Sequence, residues 1–222
     1  MEQLLPILLV IAAALAAAIL FTRRRRDPLS ARFDTLAERR GWRRLAPDDV
    51  LARLAPFELY TDVARRVDAA VGGDAPTGAA VLAALGTREV ADPARPYVVA
   101  AIHSDRIPGP VIALEPRSVR TVRVVTGAQE VEVADPRLAR GWRVLSDDAP
   151  AAAALLDDPA VGPRLVDVLH RPVPWIVGLR LRPGAVAVHL SRPDELPGDA
   201  DDFERLVTLA DDVAAALEAS SR

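Results

Sequence analysis

Hydrophobic and polar positions follow three different patterns along the chain, and each predicts a different kind of element. The run from Leu4 to Phe21 holds no charged or strongly polar side chain. A helix needs about 20 such residues to cross a hydrocarbon core of ~30 Å. The run therefore predicts one membrane-spanning helix over Leu4–Thr22, with Pro6 in the first turn, where a missing N–H costs little. Helical spacing returns at Leu29, Phe33, Leu36 and Ala37, which predicts an amphipathic helix to Arg40, stopped by Gly41 and followed by an extended piece at Trp42. Asp48 is placed to cap a short helix through Leu54, closed before Pro56.

Period-two or continuous apolar runs take over after residue 57. Ala79 to Leu85, Tyr97 to Ile102 and Val111 to Leu114 read as strands, separated by Gly78, Asp92-Pro93 and Pro108-Gly109-Pro110. Val63 to Val71 suits a strand or, through its alanines, a helix. Ser118 to Val125, Glu130 to Val133 and Trp142 to Leu145 extend the strand pattern, and Ser146 or Asp147 then caps a helix through Leu156. Another helix is predicted from about Val161 to Leu169.

The hairpin at 175–190 is the most legible strand pair. Trp175, Val177, Leu179 and Leu181 alternate with Gly178, Arg180 and Arg182, Pro183-Gly184 turns the chain, and Val186, Val188 and Leu190 resume the apolar face. A final helix carries Phe203, Leu206, Val207, Ala210, Val213, Ala214 and Leu217 in one stripe. Strands and helices without regular βαβ alternation predict an α+β fold with mainly antiparallel pairing, behind one N-terminal transmembrane helix. The expected organisation is an anchor over residues 1–22, a basic juxtamembrane stretch over 23–28 and a soluble α+β domain over 29–222.

Charge gives this plan an orientation. Only Glu2 precedes the apolar run, whereas Arg23, Arg24, Arg25 and Arg26 follow it directly. Arginines stay on the cytoplasmic side, so the expected location is the cell membrane, with the N-terminus outside and the C-terminal domain in the cytoplasm. A cleaved signal peptide would carry its basic stretch before the apolar run. From Arg23 to Arg44 nine arginines face only Asp27, Asp34 and Glu38, while the whole chain carries −3, so the body away from this stretch is acidic. Arg23–Arg26 with Arg32, Arg39 and Arg40 are the expected membrane and lipid contacts, able to meet anionic headgroups within a Debye length of the leaflet. An acidic body argues against nucleic acid as a partner.

Composition removes several chemistries. With no cysteine, disulfides, thiolate metal sites and cysteine nucleophiles are excluded. Every one of the 28 basic residues is arginine, which excludes a Walker-type, Schiff-base or kinase-type lysine.

The remaining candidates read as structural. His103-Ser104-Asp105 has the residue types of a hydrolase triad, but neighbours on a strand point to opposite faces and no Gly-x-Ser-x-Gly elbow exists. His170 falls at a helix C-terminus and His189 faces away from the hairpin's apolar side. No histidine pair has metal-ligand spacing, so no catalytic, metal or cofactor residue is assigned. The glycine-rich stretch Gly72–Gly78 reads as a hairpin loop, and Asp199-Ala200-Asp201-Asp202 as a helix cap in preference to a calcium loop, whose sixth-position glycine is missing.

Arg40-Gly41-Trp42-Arg43 is echoed by Arg140-Gly141-Trp142-Arg143, each followed by a leucine and a pair of aspartates, as an internal repeat would leave. The apolar start with Arg23–Arg26, then Phe33, Leu36, Gly41-Trp42, Val111 to Pro116, Asp135-Pro136, the Val144 to Leu156 unit and the last hairpin and helix give the chain its likeness. It resembles uncharacterised single-pass membrane proteins common in actinobacteria; the resemblance implies a domain plan and carries no activity. The expected function is a membrane-tethered cytoplasmic domain that binds a protein partner or the anionic leaflet. The alternative is a hydrolase whose Asp, Ser and His residues meet only on folding.

Overall fold

The structure is a computed structural model that describes residues 28–57, 64–87, 97–118, 128–171, 177–190 and 197–219. In chain order the elements are α1 (Pro28–Arg40), β1 (Arg43–Arg44), α2 (Pro47–Leu54), β2 (Ala64–Asp74), β3 (Ala79–Thr87), β4 (Tyr97–His103), β5 (Ile112–Pro116), β6 (Gln129–Glu130), α3 (Pro136–Gly141), β7 (Trp142–Ser146), α4 (Ala149–Leu156), α5 (Gly162–Leu169), β8 (Val177–Arg182), β9 (Ala185–Leu190) and α6 (Ala200–Glu218). The described strands form one nine-stranded sheet in the order β1-β2-β3-β4-β9-β8-β5-β7-β6. Every pairing is antiparallel, as the α+β reading expects.

The expectation of an N-terminal transmembrane helix as part of this fold is corrected. Among the described residues no helix is long and apolar enough to cross a membrane. The longest, α6, is amphipathic: it buries Phe203, Leu206, Val207, Ala210, Val213 and Leu217 but also carries Asp201, Asp202, Glu204, Asp211 and Asp212, which makes it a lid on a sheet and not a span. The run Leu4–Thr22 and Arg23–Arg26 lie outside the described residues.

Alternation divides the sheet into two faces. The first carries Val71, Leu82, Ala100, Val188, Leu179, Leu114 and Val144 and forms the main core with α1, α4, α5 and α6. Phe33 of α1 meets Phe203 of α6 edge-on, with ring centroids 4.9 Å apart. The second carries Ala70, Val81, Val99 and Ala187, and Val50 and Leu54 of α2 with Phe57 close it over β2–β4. With both faces buried, β3, β4 and β9 are near-continuous Ala/Val runs, since small side chains fit a helix against each side of the sheet.

Several details depart from the sequence reading. Of the ambiguous Val63–Val71 stretch, residues 64–71 are strand, within β2, and Val63 lies outside the described residues. The cap expected from Asp48 is not made: α2 begins at Pro47 behind Ala46, and Asp48 lies inside its first turn, where it suits the dipole. Asp148, not Ser146 or Asp147, caps α4. The short helix α3, capped by Asp135, is additional. The expected strand at Ser118–Val125 falls almost wholly outside the described residues.

The Arg-Gly-Trp-Arg echo is local. Gly41 sits at φ +65° and closes α1 with the paired bonds Trp42 N–H to Ala37 O (2.8 Å) and Gly41 N–H to Glu38 O (3.4 Å), the helix-ending pattern that needs a left-handed residue. Gly141 instead remains inside α3, and Trp142 donates to Leu138 O. Both tryptophans enter the first-face core, but the helices that follow part company, α2 onto the second face and α4 onto the first.

Candidate functional site

Of the seven arginines expected at lipid, Arg32, Arg39 and Arg40 are described, and α1 aims all three at the start of α6. Arg32 Nη1 donates to Pro197 O at 2.9 Å. Arg39 pairs with Asp201. Arg40 reaches Glu204 at 2.7 Å and the Thr208 hydroxyl at 3.2 Å, and lies 5.2 Å over the Trp42 ring. An open groove of about 370 Å³ runs between the two helices, lined by Ala31, Arg32, Thr35, Arg39, Gly198, Asp199, Ala200 and Asp201. Asp199, at the head of that lining, caps α6 by accepting from Asp202 N at 3.0 Å, as expected for this acidic stretch. The arginines thus border the groove with acidic neighbours instead of forming a purely basic face. Partners raise the Arg39 pKa and lower that of Asp201, in both cases chiefly through their shared hydrogen bond.

The hydrolase-like trio is separated. His103 lies on the second face near Phe57, its ring 6.4 Å away, and burial followed by the Arg53 charge lowers its pKa. Its Nε2 finds no hydrogen-bond partner among the described residues. Ser104 turns instead to α6, donating to Glu218 Oε1 at 2.6 Å, and Asp105 is exposed. His170 ends α5 with Nδ1 2.9 Å from Val166 O. Among the described residues no group of three or more His, Asp and Glu side chains is placed to hold a metal ion.

A buried charge cluster is the feature that sequence reasoning missed. Glu115 on β5, Arg180 on β8 and His189 on β9 share the second face, with 4 %, 5 % and 2 % of their surface exposed. Arg180 is ion-paired to Glu115 and also donates to Leu179 O at 3.0 Å. His189 Nε2 is 3.6 Å from Glu115 Oε1, and Tyr97 of β4 stacks on the imidazole with centroids 5.3 Å apart and planes at 26°.

Register explains how these side chains meet. His189 is opposite Gly178, and continuing the β5–β8 ladder by one residue puts Glu115 on the other side of the same glycine. A Cβ on Gly178 would lie 2.5 Å from His189 Cε1, nearer still to Nε2, and 3.0 Å from Glu115 Oε2. The missing side chain is the gap through which the imidazole crosses β8. Arg180 lies in the next row between Ala113 and Ala187, two small neighbours that leave its long side chain room to lie along the sheet. In sequence, a glycine inside an alternating strand is the one available signal, since it marks close approach of another group.

Burial and pairing oppose each other at Glu115. Burial pushes its pKa up, but the hydrogen bond and charge interaction with His189, together with Arg180, outweigh it and hold the carboxyl at about 2. Burial dominates at His189 and, with Arg180 adding to it, lowers the imidazole pKa despite Glu115. The cluster is therefore built round an ionised Glu115–Arg180 pair, with burial opposing a charge on the imidazole beside it.

No protein-family model and no curated protein matches the sequence. The fold is similar to the crystal structure of the mycobacterial trehalose monomycolate transport factor A, with a TM-score of 0.61 and 16 % sequence identity over 86 % of this chain and 96 % of that one. At that identity the likeness establishes a shared fold, spanning nearly the whole of the other chain.

Proposed function

We propose that the domain is a non-catalytic binding module that takes a protein partner at the α1–α6 face. The observation that carries this reading is the open groove bordered by Arg32 and Arg39 on one side and Asp199 and Asp201 on the other. Exposed ion pairs of this kind contribute little to stability, so a partner can exchange them for its own pairs at small cost. A surface carrying both signs suits a protein side-chain pattern better than a uniformly anionic leaflet, because Asp201 and Glu204 already answer Arg39 and Arg40.

The similar solved structure is that of a transport factor. A role in transport exercised by holding another component is the class of activity this reading would have in common with it. The alternative hydrolase reading draws no support from the placement of His103 and Ser104 on opposite faces of the sheet.

A photo-crosslinking residue at Thr35, inside the groove, tests the proposal in the full chain in cells, with Glu130 at the far sheet edge as control. A discrete protein adduct from Thr35 alone, abolished by the double reversal Arg32→Glu and Arg39→Glu, is the expected result. Equal adducts from both positions, or retention by anionic phosphatidylglycerol vesicles that the same reversal abolishes without any protein adduct, would replace the partner reading with non-specific contact or leaflet binding.

A further inference from the structure

We propose that the partner seated in the α1–α6 groove is a second copy of this chain, paired about a two-fold axis that runs along the groove, so that Arg39 of each copy meets the partner's Asp201. The inference rests on the groove being a docking face and names what docks there. A symmetric pair needs a surface that complements itself, since any contact from one residue to another recurs in the opposite sense. The groove meets that requirement through the placement of its charges. Arg32 and Arg39 stand on the α1 wall, Asp199 and Asp201 on the α6 wall, and the lining is formally neutral. Two copies of a patch with a net charge would repel each other, and two copies of this one do not.

Order along the groove fixes the axis. Arg32 reaches Pro197 O, Arg39 reaches Asp201 and Arg40 reaches Glu204, so the two walls advance in step. A two-fold axis along the groove exchanges the walls and keeps each residue at its level, which turns Arg39 onto the partner's Asp201 and Asp201 onto the partner's Arg39. An axis across the groove would set one arginine wall against the other. Ala31, Gly198 and Ala200 keep large side chains out of the lining, which leaves room for the partner's arginines to enter. The Arg39 and Asp201 side chains are 51 % and 64 % exposed, so their pair within one chain contributes little that is lost when each joins the other copy. Arg40 and Glu204 are more enclosed, and their bond keeps α1 on α6 while the outer pair is traded. A foreign protein would need two opposed rows of charge at this spacing, and a second copy carries them by construction.

Two differently tagged copies of the full chain, coexpressed in cells with a photo-crosslinking residue at Thr35 of one, test the pairing. A wild-type adduct carrying both tags is expected, and it should vanish when the crosslinking residue is moved to Glu130. Arg39→Asp in both copies, or Asp201→Arg in both, sets like charges at the two symmetry-related contacts and should cut that adduct about tenfold or more. Arg39→Asp in one copy with Asp201→Arg in the other restores opposite charges at both contacts, so the mixed pair should recover the adduct. Should a reversed chain fail to fold, Arg39→Ala must still lower the two-tag yield, and an unchanged yield would count against the pairing. No two-tag adduct from the wild type, or a mixed pair of folded variants no better than either alone, overturns it. A Thr35 adduct to a different protein without a two-tag adduct also overturns the self-pairing but leaves the groove a docking face. No adduct of any kind removes both readings.

Discussion

Replacing Gly178 with alanine isolates the geometry on which the buried cluster depends. In an ordinary strand this change stabilises by roughly 0.5–1 kcal/mol, since glycine loses more backbone freedom on folding. Here the new methyl would fall 2.5 Å from His189 Cε1, nearer to Nε2, and 3.0 Å from Glu115 Oε2. The imidazole must retreat by about 1 Å to reach ordinary contact, but Tyr97 is stacked on it and only 2 % of the residue is exposed. Overpacking of this kind costs about 1–3 kcal/mol, and pulling a buried group from its partner adds about 1–3 kcal/mol. Net destabilisation of about 1–5 kcal/mol is expected, opposite in sign to the generic effect. Urea unfolding followed by the fluorescence of buried Trp42 and Trp142 measures it directly. His189→Ala in the same chain removes the ring that clashes, so the double variant should recover more than 1 kcal/mol over the sum of the single changes. A Gly178→Ala protein as stable as the wild type, or additive behaviour in the cycle, would refute the argument that this glycine seats the imidazole.

Acid should weaken the fold through Glu115. Its folded pKa of about 2 lies below the ordinary 4.5, so its contribution of about 3 kcal/mol is present above pH 4.5 and lost as pH falls from 4.5 towards 2; unfolding midpoints across that range should show the slope, and Glu115→Gln should flatten it. Gly41→Ala should cost about 1 kcal/mol in the same assay, because φ +65° is strained for any side chain even though open space surrounds the position. Asp211→Ala should cost about 1 kcal/mol and raise exchange at Thr77, whose N–H (3.1 Å) and hydroxyl both donate to that carboxylate and hold the β2–β3 turn on α6. Arg39→Ala should leave the unfolding midpoint unchanged, since its ion pair with Asp201 is exposed on both sides, while weakening any complex formed at the groove.

Much of the fold was legible because two signals are local. The β8–β9 hairpin is found where alternation and Pro183-Gly184 put it, and α6 follows the stripe from Phe203 to Leu217. Caps were less legible: Asp48 and Asp148 have the same chemistry, and which residue starts a helix is settled by the backbone entering it, as Pro47 does for α2. The apolar run at the N-terminus met the length criterion for a span, but that criterion reads one segment in isolation, and none of the described helices meets it. The charge cluster was hidden for another reason. Arg180 and His189 occupy the polar parity of the hairpin, which in a two-stranded view is the solvent side. The strands paired on either side, β5 and β4, bring Glu115 and Tyr97 beside them, and in the folded chain Arg180 and His189 are both buried. Such long-range strand order is not encoded in any window of the sequence, and the lone residue that hinted at it was Gly178.

The two charge assemblies obey different physics, and this divides the molecule's labour. At the α1–α6 groove water screens each pair, so the Arg39–Asp201 contact is cheap to break and to replace. At Glu115, Arg180 and His189 screening is nearly absent, the pair is worth most when complete, and loss of one member is far more damaging than replacement of all three by apolar groups. Substituting the whole cluster with well-packed apolar residues should therefore preserve the fold and remove its acid response, whereas no set of changes at the groove should alter that response. If a groove variant shifted the acid dependence of the unfolding midpoint, the two sites would be coupled through α6, which contacts β4 and β9 on the first face, and the independence argued from burial would fail.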